Sequence, residues 1–321
     1  MIKLSTNGNI QSPPSGDGGV QVNNIVKLYG KKKDIVKALQ GISFDVSKGE
    51  LFGIIGPDGA GKTSLFRILT TLLLADGGNA TVDGFDVVKD YKEIRNRVGY
   101  MPGRFSLYQD LTVEENLEFF ATIFKTTIHE NYDLIKDIYS QIEPFKDRRA
   151  GKLSGGMKQK LALSCALIHR PSVLFLDEPT TGVDAVSRKE FWEMLKRLKE
   201  QDITILVSTP YMDEASLCDR VALIQTGKIL SINTPQGIID EFKKPIMAAR
   251  ASDMLRLLKD LKEFEQVEDA YPFGEFHHAV MKNGFSEGAF KDFLLQRSNQ
   301  DLKLKRAEPD IEDCFMALMK I

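Results

Sequence analysis

Residues Gly56 to Ser64 read Gly-Pro-Asp-Gly-Ala-Gly-Lys-Thr-Ser and directly follow the apolar run Leu51-Phe52-Gly53-Ile54-Ile55. The spacing fits G-x-x-x-x-G-K-[ST], the phosphate-binding P-loop pattern. A phosphate chain is multiply charged and must be met by donors that come very close. Gly56, Gly59 and Gly61 let the backbone curl so that its N–H groups point inward. Lys62 offers an ammonium to the β- and γ-phosphates, and Thr63 offers a hydroxyl to a Mg²⁺ ion. With Pro57, Asp58, Ala60 and Ser64 they make up the expected nucleotide-binding stretch. Leu65 to Leu69 reads as helix, so the phosphates would sit at a helix N-terminus. The competing interpretation is a plain glycine-rich turn, but a strand before it and a helix after it favour phosphate.

Two further stretches carry chemistry. Val173-Leu174-Phe175-Leu176-Asp177-Glu178-Pro179 reads as a buried strand ending in two carboxylates. In a parallel sheet this end shares the carboxyl edge with the P-loop, which places Asp177 to reach a metal and Glu178 to polarise a water. Ser154-Gly155-Gly156 opens a second helix and supplies a hydroxyl and free backbone N–H groups, again suited to an anion. One chain therefore carries two phosphate-binding helix ends. Tyr29, on an early strand upstream of the P-loop, stands where a ring can stack on a base, although a single Tyr also serves as rim packing.

The elements that must position these groups follow in order. Residues 1 to 20, rich in Asn, Ser, Gly and Pro, bury too little apolar surface to order and read as a flexible leader. Strands are expected over 22–30 and 38–46, followed by the P-loop strand. From about 104 to 167 the periodicity becomes helical, through Leu111, Val113, Leu117 and Phe120, then Leu134, Ile135 and Ile138, which predicts an all-helical insertion. Ile203 to Ser208 reads as another buried strand, and 221–231 as a hairpin around Gly227. Past about 237 the order changes to β-α-β-β-α-β, which suggests a small ferredoxin-like accessory domain over 238–321. Ser252 is expected to cap its first helix, and His277 and His278 to lie on the surface.

Composition sets bounds. With 321 residues the chain is long enough for roughly two domains. A formal net charge of −2 leaves no electrostatic footprint for nucleic acid, and Lys31-Lys32-Lys33 reads as a solvated loop. No apolar stretch approaches the roughly 20 residues that span a bilayer. Cys165, Cys218 and Cys314 are odd in number and in no metal-ligand spacing, as in reduced, packed thiols.

With these pieces in order, residues 22 to 235 resemble an ATP-binding-cassette (ABC) ATPase. The P-loop, the LSGG signature at Leu153 to Gly156, LDEPT at Leu176 to Thr180 and the D-loop-like Thr181-Gly182-Val183-Asp184 carry the resemblance. The ending Glu308 to Phe315 is similar to that of ATPase subunits of drug-exporter and other ABC-2-type systems. The resemblance implies an α/β P-loop NTPase core over 21–237 with a helical subdomain and a small α+β C-terminal domain. It implies two cassettes stacked head to tail, as homodimer or heterodimer, with each ATP held between one P-loop and the other signature. Tyr29 would stack on adenine, Lys62 hold the phosphates, Thr63 and Asp177 serve Mg²⁺, and Glu178 act as base. Ser154, Gly155 and Gly156 would complete the partner's site. A separate membrane permease would dock near Arg104 to Tyr108, leaving the chain cytoplasmic and peripheral to the membrane.

Two positions depart from the family's pattern. Gly103 stands where Gln is usual, and Pro210 where His is usual. Neither can supply a side-chain donor near the γ-phosphate, so hydrolysis at this chain's own site is expected to be slow. The other readings are a regulatory nucleotide-binding subunit with negligible turnover and a non-transport ABC ATPase of translation or DNA repair. The second usually brings two cassettes or a long coiled coil, neither of which is seen.

Overall fold

The computed structural model describes residues 19–30, 34–104 and 106–319. The Lys31 to Lys33 run, Phe105 and positions 1 to 18 of the expected leader lie outside them. The chain divides into two compact units, Met1–Pro235 and Gln236–Ile321. Among the described residues no helix is long and apolar enough to cross a membrane.

The first unit contains β1 (Val20–Tyr29), β2 (Val36–Val46), β3 (Leu51–Ile55), α1 (Lys62–Leu69), β4 (Gly77–Val82), β5 (Phe85–Asp86), α2 (Tyr91–Arg97) and β6 (Val98–Met101). It continues through α3 (Val113–Ile123), α4 (Tyr132–Tyr139), α5 (Gly155–Leu167), β7 (Val173–Asp177), α6 (Ala185–Lys199), β8 (Thr204–Thr209), β9 (Arg220–Gln225) and β10 (Lys228–Asn233). Six strands form a sheet in the order β10-β9-β3-β8-β7-β6, parallel except for the β10 edge. Every residue of β3, β7 and β8 is buried, as expected of central parallel strands covered on both faces. The antiparallel sheet β2-β1-β4-β5 packs opposite, and α1 fills the space between the two. Phe44 stacks on Phe52 at 5.4 Å, and Phe66 meets Phe175 edge-on at 5.5 Å. Val20 lies fully buried in β1, so the strand begins two residues before the expected start and takes in the last position of the expected leader.

The helical stretch holds α3, α4 and α5. Thr112 caps α3 through a reciprocal box with Glu115, and one isolated bridge joins Thr112 to Arg149.

The second unit contains all but the first residue of α7 (Pro235–Glu241), then β11 (Ile246–Arg250), α8 (Met254–Glu263), β12 (Val267–Phe273), β13 (Phe276–Met281), α9 (Glu287–Gln296), β14 (Lys303–Ala307) and α10 (Ile311–Leu318). Its strands order as β12-β13-β11-β14, all antiparallel. Two expectations fail here. Asp253, not Ser252, caps α8 by accepting the Arg256 N–H at 3.0 Å, while the Ser252 hydroxyl is bound to Asp301 at 2.5 Å. His277 and His278 are buried rather than exposed, because each finds a partner: the Met254 carbonyl and the Asp313 carboxylate, both at 2.7 Å.

Candidate functional site

Three strand ends build the site. β3 runs straight into the P-loop, where two glycines are sterically required. A Cβ added at Gly56 would lie 2.0 Å from the Ile224 carbonyl oxygen, and Gly61 takes φ 105° immediately before α1. The Gly56 N–H donates to the Thr209 carbonyl at 3.2 Å, so the loop is also tied to the end of β8. Lys62, the first residue of α1, is only 3% exposed. Its ammonium donates to the Gly56 and Pro57 carbonyls at 2.8 and 3.1 Å and pairs with Glu178 Oε1 at 3.2 Å.

β7 delivers the acids. Asp177 is 2% exposed and accepts the Ser208 hydroxyl at 2.5 Å. Glu178 remains more open, at 23% of its side chain, with φ 51°. Its N–H donates to the Ser208 carbonyl at 2.9 Å and lies 3.1 Å from the Ser208 hydroxyl oxygen. Burial first, and the negative charge of Asp177 second, push the neighbouring Tyr100 phenol up to about 12, which keeps it neutral. Tyr29 borders the same region, its hydroxyl 3.1 Å from the Ser64 hydroxyl and its ring partly exposed.

The residue types fit a phosphate chain with a hard cation. Lys62 is a cation with carbonyl contacts that a phosphate oxygen outcompetes. Thr63 and Asp177 are oxygen donors of the kind Mg²⁺ takes. Among the described residues no group of three or more His, Cys, Asp or Glu forms a metal cage.

The signature has other neighbours. Ser154 caps α5 by accepting the Met157 N–H, a Cβ added at Gly155 would sit 3.6 Å from the Gly182 carbonyl, and one at Gly156 3.0 Å from the Ser187 hydroxyl. These contacts lie with the loop before α6 and the first turn of that helix. A cleft of about 570 Å³ beside the signature is lined by Arg148, Arg149 and Lys152 with Asp147.

The ABC transporter family model matches residues 39–181. Over 308 residues the chain is 36% identical to the probable multidrug ABC transporter ATP-binding protein YbhF of Escherichia coli, covering 94% of this chain and 52% of that protein. The daunorubicin resistance ATP-binding protein DrrA2 of Streptomyces coeruleorubidus is 36% identical over 75% of each chain. The chain belongs to the ABC transporter ATP-binding family. It spans about half the length of YbhF. A dimeric post-hydrolysis structure of the ATP-binding cassette MJ0796 bound to ADP and Pi superposes with TM-score 0.61 at 25% identity, over 67% of this chain and 98% of that one.

In this ABC chain the two departures lie at the same sheet edge. A Cβ at Gly103 would be 3.0 Å from the Asp177 carbonyl oxygen and 3.7 Å from Glu178 Cβ, so the missing side chain would have pointed among the acids. Pro210 follows Thr209 directly, half-buried. Gln109 and His169 supply no substitute. Gln109 is exposed, while His169 is stacked on Phe124 at 3.7 Å with Nε2 against the Val98 carbonyl. Ser208 and Glu214 escaped sequence reasoning. Glu214 is 1% exposed although its neighbour Asp213 has a side chain 75% exposed, and nothing in the run Met212-Asp213-Glu214-Ala215 separates the two acids.

Proposed function

We propose that this chain is the nucleotide-binding subunit of an ABC export system, binding ATP firmly and hydrolysing it slowly at its own P-loop. The observation that carries the reading is the convergence of Lys62, Asp177 and Glu178 at one sheet edge, with Lys62 and Glu178 3.2 Å apart. The loop between Gly56 and Gly61 cradles the phosphates with backbone N–H groups from its glycine-rich half, Lys62 turns its ammonium to them, Ser64 stands beside the loop, and Tyr29 carries the base. Thr63 and Asp177 hold Mg²⁺, which, when bound, neutralises charge on the phosphates. Glu178 accepts a proton from the attacking water.

Ser154, Gly155 and Gly156 meet the γ-phosphate on a second cassette, and the cationic cleft at Arg148, Arg149 and Lys152 gives that face a favourable potential for nucleotide. Dimeric assembly is supported by MJ0796, whose structure is a cassette dimer with ADP and Pi. A permease docks by the exposed residues Arg104, Ser106 and Tyr108, beside the open apolar groove formed by Leu107, Phe120, Ile123 and Phe124, and holds the chain at the cytoplasmic face. Export is supported by the names of the relatives, which concern multidrug transport and daunorubicin resistance.

Gly103 and Pro210 favour a particular form of this reading, in which the chain lends its signature to a better-equipped cassette. Gentle detergent extraction from its own cells, followed by identification of what co-purifies, tests it. A multi-helix permease with a second cassette supports the asymmetric pair, a permease alone supports a homodimer, and ribosomal or DNA-bound partners overturn the transport reading.

A further inference from the structure

β7 and β8 lie side by side with Asp177 opposite Ser208, and each continues into a loop of the site. One cross-link fixes the chain just ahead of Glu178, through Ser208 to Asp177 at 2.5 Å and to the Glu178 N–H. A second one fixes it just after. The Thr180 hydroxyl donates to Glu214 Oε1 at 2.7 Å, and the Thr209 hydroxyl donates to Glu214 Oε2 at 2.5 Å. The same Thr209 hydroxyl accepts the Tyr211 N–H at 3.1 Å, so the segment containing Pro210 hangs from this point. Arg188 Nε, which has no hydrogen-bond partner, lies 3.7 Å from Glu214 Oε1, and its guanidinium covers the Tyr211 ring at 4.2 Å.

A carboxylate taken almost wholly out of water needs its lone pairs occupied, and here one oxygen holds a hydroxyl from the loop after β7 and the other a hydroxyl from the last residue of β8. It cannot rotate without releasing one of them. Glu178, two residues before Thr180, sits at φ 51°, where residues with a Cβ are disfavoured, so its backbone depends on neighbours that fix it. Pro210 has no N–H and no side-chain donor to share that task.

We propose that Glu214 is a positioning residue for ATP hydrolysis: its carboxylate ties Thr180 to Thr209 and thereby fixes the angle at which Glu178 meets the attacking water. The proposal rests on the reading above that Glu178 acts on that water. Glu214→Ala would strand two buried hydroxyls and confound folding with function, so the test uses the threonines. Thr180→Val and Thr209→Val each remove one hydroxyl at nearly constant volume, and serine at either position restores it.

In single-turnover hydrolysis of Mg·ATP by the full chain, each valine variant slows the chemical step about tenfold or more, because a shift of about 1 Å in a catalytic group is that costly. ATP affinity, read by displacement of a fluorescent ATP analogue, stays within about twofold, which separates loss of positioning from loss of binding. The double variant is scarcely slower than either single one, since both cut the same link, and the serine variants recover most of the rate. Unchanged rates in both valine variants, or a rate loss matched by an equal loss of affinity, overturn the role of Glu214 alone. A wild-type chain that binds ATP and never hydrolyses it overturns the reading of Glu178, and this proposal with it.

Discussion

Both units bury charged and polar side chains, but they do so to different ends. In the second unit the partners close on one another. Asp313, fully buried, accepts the Tyr271 hydroxyl and meets His278 Nδ1, both at 2.7 Å, and also forms a capping box with Asp310. His278 is stacked on Phe273 at 3.9 Å. Burial works against ionising Asp313, yet the hydrogen bonds from His278, the Asp310 backbone and Tyr271 outweigh it and hold its pKa below the ordinary value. Asp310 beside it is raised, by burial and then by the Asp313 charge. In the first unit Lys62 rests on two backbone carbonyls and one partly open carboxylate, at the mouth of a glycine loop. A closed network fastens α10 to β12 and β13. The open one leaves its cation and acids to a ligand.

Breaking each network should therefore produce different losses. Glu178→Gln removes the carboxylate proposed as base without removing bulk, and turnover should fall by about 10²–10³ in kcat, the range seen when one preorganised catalytic group is lost. Nucleotide affinity and the unfolding curve of the first unit should hardly move. The second is convenient to follow, because the only tryptophan of the chain, Trp192, is buried in α6. Residual turnover above about a tenth of the wild type would mean that the edge of β7 is not where the chemistry resides.

Asp313→Ala should do the reverse. It leaves the Tyr271 hydroxyl and His278 buried without their common acceptor, at a cost of about 2–4 kcal/mol, since each stranded buried group costs about 1–3 kcal/mol. Hydrogen exchange over residues 311–319 reads the loss directly as faster exchange of α10, while ATP affinity at the P-loop stays at the wild-type value. Exchange that remains slow would show that apolar packing by Ile311 and Phe315, both 4% exposed, secures the helix without the polar cluster.

How much of this was legible beforehand depended on whether the relevant partner was near in sequence. The P-loop, the acids after β7 and the alternation of elements in both units are local patterns, and each reads from a single stretch of chain. Positions 277 and 278 misled because a strand histidine is ordinarily solvated, and the acid that draws His278 inside lies at position 313. Ser252 and Asp253 are both good capping residues, and the choice between them was made by Asp301, which takes the serine hydroxyl. Helix α7 begins on Pro235, a residue that is easily read as a break although its fixed φ suits a first helical position. Glu214 was invisible for the same long-range reason: Thr180 belongs to another loop. Partners distant in sequence fix these details, with separations of 35, 49 and 34 residues for His278–Asp313, Ser252–Asp301 and Thr180–Glu214, beyond any short window.

The smallest effect expected is also the one that bears most closely on the open network. Gly103 and Pro210 supply no side-chain donor at the edge that holds Lys62, Asp177 and Glu178. Gly103 is the place to return one: its backbone lies outside the left-handed region, and an added Cβ meets the Asp177 carbonyl oxygen at 3.0 Å, a tight contact that requires a shift of a few tenths of an ångström. Gly103→Gln combined with Pro210→His should raise kcat about tenfold, less than a lost donor costs, because a grafted group lacks the packing that preorganises it. The same pair introduced beside Glu178→Gln should give no rise, since a donor to the water or γ-phosphate helps only where a base accepts the proton. A rise that persists without Glu178 would place the limiting step elsewhere in the cycle, and absence of any rise in the parent would mean that the depleted half of the edge is not what limits it.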